Sequence, residues 1–261
     1  MPTAHATQAA ELLWRTWRDG ERLDILPAEL QPADRSQAYA IQAEIERLSG
    51  RARIGWKIAA TSTAGQAHIG VDGPLAGRML AHRVYGSGVS IPLATNSMRV
   101  AEAEFAFRLA QPLLPRSQPY TVTDVIAAVG SVHPAIELPD SRYHDFVRVG
   151  PLHLMADNAC AGWFVLGEAV HVPWCTYDLV GHRVTLRCNG TIARVGTGAN
   201  VLGDPRVALT WLANELAAHG IGLQVGEVVT TGTCLIPVEV TPGDRIAADF
   251  GDFGCVNVAV L

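Results

Sequence analysis

Hydrophobic spacing changes period near residue 60, and that change restricts the fold more than any other feature of the chain. Before it, apolar residues recur at helical intervals; after it they alternate, or form short runs bounded by Gly, Pro, Asn and Asp. In ATQAAELLWRTWRDG, Leu13, Trp14 and Trp17 share helical spacing and Gly20 supplies a stop. Asp34 is placed to cap a second helix whose stripe is Ala38, Ile41, Ile45 and Leu48, with Gly50 at its end. Arg53 to Ile58 reads as a short strand, and Thr61 or Ser62 caps a short helix running to Gly70. The expected class is α+β: a helical portion over residues 1–60 and a β-rich, barrel-like or sandwich-like portion over 61–261, which can be one continuous domain.

The β-rich portion is read from local signals. One strand falls within Val84 to Ile91, interrupted by Gly86 and Gly88, and another is RVAEAEFAFRLA from Arg99 to Ala110. Thr121 to Val129 looks helical, and His133 to Leu138 and Gly162 to Leu166 read as strands. Val184 to Val195 forms a hairpin turning at Asn189-Gly190, the strongest local turn signal present. Asp204-Pro205 opens a helix with Val207, Leu209, Leu212 and Leu216 apolar, ended by Gly220. Val225 to Thr230, Val238 to Val240, Arg245 to Phe250 and Cys255 to Leu261 are again strands, with a turn at Pro242-Gly243-Asp244.

A chain of 261 residues, 49% hydrophobic and 17% charged, buries a large core and is not disordered. Its net charge is -5 and its basic residues are scattered, so neither nucleic acid nor an anionic membrane is indicated as a partner. No run is long enough to span a bilayer and MPTAHATQAAELL lacks the apolar core of a signal peptide, which points to the cytoplasm. The cysteines, Cys160, Cys175, Cys188, Cys234 and Cys255, are odd in number and widely spaced; they suit a reduced compartment and read as core residues.

Signatures for dinucleotide, nucleoside triphosphate, zincin and serine-hydrolase chemistry are missing, and GTGAN at residues 196–200 reads as a tight turn. The carboxylates are more informative. With period 2, Glu102 and Glu104 share one strand face while Ala101, Ala103, Phe105 and Phe107 share the other. Glu137 lies in an otherwise apolar strand, where an uncompensated charge is costly. Three converging carboxylates make a hard oxygen site suited to Mg²⁺ or Mn²⁺; the competing reading is an ion pair of Glu137 with Arg99 or Arg142. Lys57, between Ile54, Trp56, Ile58 and Ala59, is either a desolvated proton shuttle or a lysine whose ammonium reaches water.

Several segments, in this order and at these separations, carry a specific resemblance: AYAIQAEI, GWKIAATSTAGQAHIGVDGP, AEAEFAF, HPAIELPDSR, MADNACAGWFVLG, ANVLGDPRVALTWLANELAAHGIGLQVGEVVTTGT and VTPGDRIAADFG. The chain resembles the 2-oxopent-4-enoate hydratase and 4-oxalocrotonate decarboxylase branch of the fumarylacetoacetate hydrolase superfamily over nearly its whole length. The resemblance implies a β-rich barrel or roll of mixed strands, with Glu102, Glu104 and Glu137 as ligands of Mg²⁺ or Mn²⁺ and Lys57 as the catalytic proton-transfer residue. It implies substrate contacts at Ile58, Ala59, Leu75, Asp157 and Cys160. The implied activity is hydration of a 2-hydroxypenta-2,4-dienoate-type acid in aromatic meta-cleavage catabolism. Decarboxylation of a 2-oxo-3-enedioate, acylpyruvate-type carbon-carbon hydrolysis and a non-catalytic metal-binding partner subunit are the alternatives. A small 2-oxo acid is the implied partner, with a homo-oligomer and a complex with a pathway enzyme expected. The chain departs from the branch at VDGPLAG, where relatives carry an acidic residue after the proline and this chain has Leu75 and Ala76; Asp72 or His68 are the nearby candidates to replace it. It also has AATS where GLTS is usual, and Cys160-Ala161 where Ser is frequent.

Overall fold

The computed structural model describes residues 3–261. Helices α1 (Ala4–Asp19) and α2 (Arg35–Ser49) form as their end signals require. Asp34 accepts from the backbone N–H of Gln37 at 2.8 Å, and Gly20 and Gly50 close the helices at φ 71° and 61°. Next come β1 (Arg53–Ala59), α3 (Thr63–Ile69) capped by Ser62, β2 (Leu75–Leu80), β3 (Val84–Gly86), β4 (Val89–Ile91) and β5 (Val100–Leu109). They are followed by α4 (Val122–Ala127), β6 (Val129–Leu138), α5 (Pro151–Ala156) and β7 (Trp163–Leu166). The chain ends with β8 (Arg183–Cys188), β9 (Thr191–Thr197), α6 (Pro205–Ala218), β10 (Val228–Thr233), β11 (Val238–Glu239), β12 (Arg245–Asp249) and β13 (Cys255–Val260).

The strands build two sheets. The larger has the order β2-β1-β10-β5-β6-β7-β3, with β11 added to β5; the smaller has the order β4-β13-β12-β8-β9. β1 and β10 are parallel, as are β3 with β7 and β4 with β13, so both sheets are mixed. Alternation in β5 decides which face meets which layer. Ala101, Ala103, Phe105 and Phe107 are fully buried, and Phe105 lies edge-on to Phe250 and Phe253 beside β12. The opposite face carries Glu102, Glu104 and Ala106, the last packed in a small separate cluster with Met79, Ala135, Phe164 and Val228. That second face is therefore also covered, and β5 is buried on both sides.

Four departures from the expected strands appear in the structure. Leu75–Leu80 is a further strand, β2, with no counterpart among the expected ones; all six residues are buried, so no alternation marks it. Val84 to Ile91 splits at its glycines into β3 and β4, which join different sheets. Strand β6 begins at Val129, directly after the short helix α4, and β10 begins at Val228 because Gly226, at φ 84°, turns the chain just before it. α5 went unread. The hairpin holds: Asn189 and Gly190 are at φ 53° and 82°, as a two-residue turn of this type demands. Of the cysteines, Cys160 and Cys234 are core residues, whereas Cys175 and Cys255 are exposed.

Buried Gln42 of α2 ties the helical layer to the sheet. Its amide donates to the carbonyl of Ala76 at 2.8 Å and to that of Met155 at 2.6 Å, joining α2, β2 and α5. Trp56 is fully buried, with the guanidinium groups of Arg53 and Arg78 each 5.0 Å from its ring. The strand that carries Lys57 is thereby fixed on both sides.

Candidate active site

Register across the large sheet assembles four ionisable side chains on one face. Glu102 of β5 pairs directly with Glu137 of β6, and Glu104 pairs with Thr233 of β10 on its other side. Lys57 of β1 pairs with Thr230 of β10 and with Gly77 of β2. In a flat sheet the three inter-strand steps from β1 to β6 span about 14 Å. Yet Lys57 Nζ lies 3.2 Å from Glu137 Oε1, so the sheet curls and the long side chains converge over β10 and β5.

Each group has a defined environment. Lys57 is 3% exposed and donates to the backbone carbonyl of Ala159 at 3.0 Å as well as to Glu137. Burial alone would lower its pKa, but the carboxylates of Glu137, Glu102 and Glu104 outweigh burial and hold it above the ordinary lysine value. Glu104 accepts through Oε2 from the Thr230 hydroxyl and from the Gly232 N–H, the latter at 2.9 Å. Burial raises all three carboxylates: Glu102, with Glu104 beside it, to about 7, and Glu137 well above its usual range although Lys57 opposes the rise.

These residues fit a divalent cation. The three carboxylates each present an oxygen within 4.8 Å of the others. Glu137 Oε2 is buried with no hydrogen-bond partner, an arrangement that is costly unless a positive group takes it up. Among the described residues Lys57 is the cation in contact with the cluster, and one positive charge is too little for three buried carboxylates to ionise together, which is why burial raises them all. An all-oxygen donor set with that charge suits Mg²⁺ or Mn²⁺.

The profile described as Fumarylacetoacetate (FAA) hydrolase C-terminal matches residues 75–261. The chain belongs to the fumarylacetoacetate hydrolase family. A 2-keto-4-pentenoate hydratase from Burkholderia vietnamiensis (strain G4 / LMG 22486) is 35% identical over 227 residues, covering 86% of this chain and 85% of its own. 2-Keto-4-pentenoate hydratase 2 from Dechloromonas aromatica (strain RCB) is 34% identical over 256 residues, covering 97% and 95%. Among solved structures, 4-oxalocrotonate decarboxylase from Pseudomonas putida G7, complexed with magnesium and adipate, superposes with a TM-score of 0.88 at 28% identity, covering 98% of this chain and 97% of that one.

Within this family fold, the structure brings together Lys57, Glu102, Glu104 and Glu137 and distributes the other singled-out residues around them. Ala59 and Leu75 are paired on β1 and β2, two residues from the Lys57-Gly77 pair and on the same face as Lys57. Leu75 is 1% exposed. Ile58 points to the opposite face, into the large core. Asp157 is engaged by Arg142, and this is the partner Arg142 takes in place of Glu137; Arg99 turns to the backbone carbonyl of Asn96. Cys160 is buried beside Lys57, with its thiol pushed up to about 12 by burial and by Asp157. Asp72 and His68 are exposed, and the His68 ring lies edge-on to Phe146.

Sequence reading missed Thr230 and Gly232, which hold Glu104, and the Ala159 carbonyl, which holds Lys57. One signal for Lys57 was available: of the 20 Lys and Arg residues in the chain, it is the only lysine. Everywhere else the chain uses arginine, which stays charged in any environment; at position 57 it has the cation able to give up a proton.

Proposed function

We propose that this protein is a divalent-metal-dependent lyase that adds water to 2-hydroxypenta-2,4-dienoate-type acids, giving 4-hydroxy-2-oxo acids. The observation that carries the reading is the convergence of Glu102, Glu104, Glu137 and Lys57 on one buried sheet face, in a chain 34% identical over 97% of its length to a named 2-keto-4-pentenoate hydratase. The two hydratase relatives and the decarboxylase neighbour support a 2-oxo acid as substrate.

Glu102, Glu104 and Glu137 are the residues that would hold Mg²⁺ or Mn²⁺. When bound, the cation supplies positive charge for the negative charge that develops on the substrate's 2-oxygen. Lys57 is the proton-transfer residue: surrounded by carboxylates it carries a proton, and Ala159 and Glu137 use two of its three N–H donors. The third is free to protonate C5 of the dienol as the 2-hydroxyl proton leaves, giving the 2-oxo-3-enoate. Water then adds at C4 and a proton is delivered to C3. Ala59 and Leu75 form an apolar wall on the same face, which excludes loose water and fits a short hydrocarbon end.

Leu75 also favours a second reading, decarboxylation of a 2-oxo-3-enedioate. Loss of CO₂ from a vinylogous β-keto acid requires no residue to activate water, and an apolar residue stands where the branch resemblance places an acid. The deciding experiment incubates the protein and Mg²⁺ with 2-hydroxypenta-2,4-dienoate, with 2-oxohex-3-enedioate or with an acylpyruvate, following loss of ultraviolet absorbance and release of CO₂. Loss of the dienoate signal without CO₂ supports hydration. Turnover of the enedioate alone, with CO₂, transfers the assignment to decarboxylation, and no turnover with metal bound overturns both. On the same reading the protein works in the cytoplasm as a homo-oligomer; the exposed Val225, Ile236 and Leu261 support association, and light scattering on the purified protein tests it. No helix among the described residues is long and apolar enough to cross a membrane.

A further inference from the structure

The carbonyl that holds Lys57 sits in an expensive piece of backbone. Asn158, Ala159 and Cys160 have φ of 50°, 49° and 61°, three successive non-glycine residues in the left-handed region. Each costs about 1 kcal/mol or more, so the conformation persists only where its surroundings over-determine it. Here they do, and from several sides. The Asn158 carbonyl lies so close over Gly77 that a Cβ there would come within 1.8 Å of it, and Asn158 Oδ1 accepts from the Arg78 N–H at 3.2 Å. The Cys160 carbonyl accepts from the Asp140 N–H at 2.9 Å.

The largest brace is Arg142. Its Nε donates to the Asp157 carboxylate and its Nη2 to the Asp157 carbonyl, while Nη1 donates to the Ala161 carbonyl at 2.7 Å. One guanidinium thus grips the residue before the left-handed run and the residue after it. The Arg142 N–H and the Ser141 hydroxyl complete the hold on Asp157, at 3.0 and 2.8 Å. Both charged side chains are 1% exposed, and the hydrogen bonds just described run to each other and to the backbone around the left-handed run. Replacing such a pair by apolar residues is often neutral for stability, so stability alone is a weak reason for its presence.

We propose that Arg142 and Asp157 are positioning residues for Lys57: by bracketing residues 158–160 they fix the Ala159 carbonyl, which aims the Lys57 ammonium at the carboxylate cluster. Of the two groups that hold Lys57, Glu137 belongs to the carboxylate cluster and Ala159 does not. The bracket therefore anchors Lys57 independently of whatever Glu137 binds. Asp157 acts through the backbone and not by touching substrate. The inference rests on the proton-transfer role given to Lys57 above.

Because Lys57 is the only lysine, protein labelled with [¹⁵N]lysine gives one side-chain ammonium resonance, a reporter that needs no turnover. The test compares wild type with the double variant Arg142→Met/Asp157→Leu, which leaves no buried charge alone. Expected are a folded protein, solvent exchange of the Nζ protons at least tenfold faster, Mg²⁺ affinity and KM within threefold, and kcat down about 30- to 100-fold, the scale of a small misplacement of a reacting group. Adding Ala159→Gly, which makes the left-handed conformation inexpensive, should recover at least threefold of the lost kcat. If the apolar pair does not fold, Arg142→Gln/Asp157→Asn keeps the shape and polarity for the same measurements. A folded variant with unchanged Nζ exchange and unchanged kcat overturns the inference, as does a kcat loss matched by loss of Mg²⁺ binding. Failure of wild type to turn over any 2-oxo acid overturns the proposed function instead, and the Nζ exchange still decides the bracket.

Discussion

Glu102 and Glu137 stand directly opposite each other on adjacent antiparallel strands, a pairing of like charges that destabilises a sheet by itself. Glu137 is buried and Glu102 half-buried, and Glu102 is pushed up to about 7 by burial and by Glu104. A site built this way sacrifices stability for binding. The expected outcome for Glu102→Gln is a metal-free protein that melts at the wild-type temperature or about 1 to 3 °C above it. Its Mg²⁺-induced rise is lost, and activity is at least 100-fold lower. For wild type, Mg²⁺ at 100 times its Kd should add about 2.7 kcal/mol. Differential scanning calorimetry with EDTA and with Mg²⁺ measures both; a metal-induced rise retained in Glu102→Gln would remove it from the ligand set.

Lys57→Met exchanges the cation that contacts the cluster through Glu137 for an apolar side chain of similar length. Without metal, Glu137 then becomes a buried carboxylate with no partner, a change that costs about 3 to 5 kcal/mol. The variant should therefore be much less stable than wild type in EDTA and regain most of the difference with Mg²⁺, since the carboxylates remain. Its kcat should fall by about 10² to 10⁴ even when metal-loaded and folded, the usual contribution of a positioned acid or base. A metal-loaded, stable variant with wild-type kcat would reduce Lys57 to a counter-charge.

How much of this arrangement could be read beforehand depends on where each determinant is encoded. Asp34, Gly50 and Asn189-Gly190 act within a few residues, so the ends of α2 and the β8-β9 hairpin were legible. β2 was not, because Leu75–Leu80 is covered on both faces and its pattern is neither period 2 nor period 3.6. Period 2 put Glu102 and Glu104 on one face correctly, but alternation within one strand does not show that this face too is covered by a second buried layer. The contact between Lys57 and Glu137 was hidden because it spans four strands of a curled sheet. The Ala159 carbonyl was hidden for a different reason: it is backbone, and a left-handed Asn-Ala-Cys carries no glycine to announce it.

Burial lowers the pKa of three histidines, His82, His133 and His153, and His82 reaches about 4, with Arg83 and Arg51 adding to the effect. A histidine with a folded pKa below its unfolded value of about 6.5 binds more protons when unfolded, so stability increases with pH through that interval. The His82 contribution is therefore lost as pH falls from about 6.5 to 4, while the raised carboxylates Glu102 and Glu137 act in the opposite direction as they take up protons, so the histidine effect is read as a difference between variant and wild type. Urea unfolding at half-unit steps of pH should show stability falling more, or rising less, on acidification in wild type than in His82→Gln. Identical slopes in the two proteins would mean that His82 is already protonated when folded.

Thr230 tests whether the hold on Glu104 is structural or functional. Its hydroxyl and the Gly232 N–H both donate to Glu104 Oε2, stabilising the charged carboxylate and holding its side chain in place. Thr230→Val keeps the shape and the β-branched side chain but deletes one donor to a buried acceptor. Such partners of metal-holding groups typically contribute about 10- to 100-fold in metal affinity or activity. The variant should fold normally, bind Mg²⁺ about 10-fold more weakly by isothermal titration calorimetry, and recover most of its kcat at saturating Mg²⁺. A kcat that stays low at saturating metal would instead place the Thr230 hydroxyl in the proton path beside Lys57, its partner across β1 and β10.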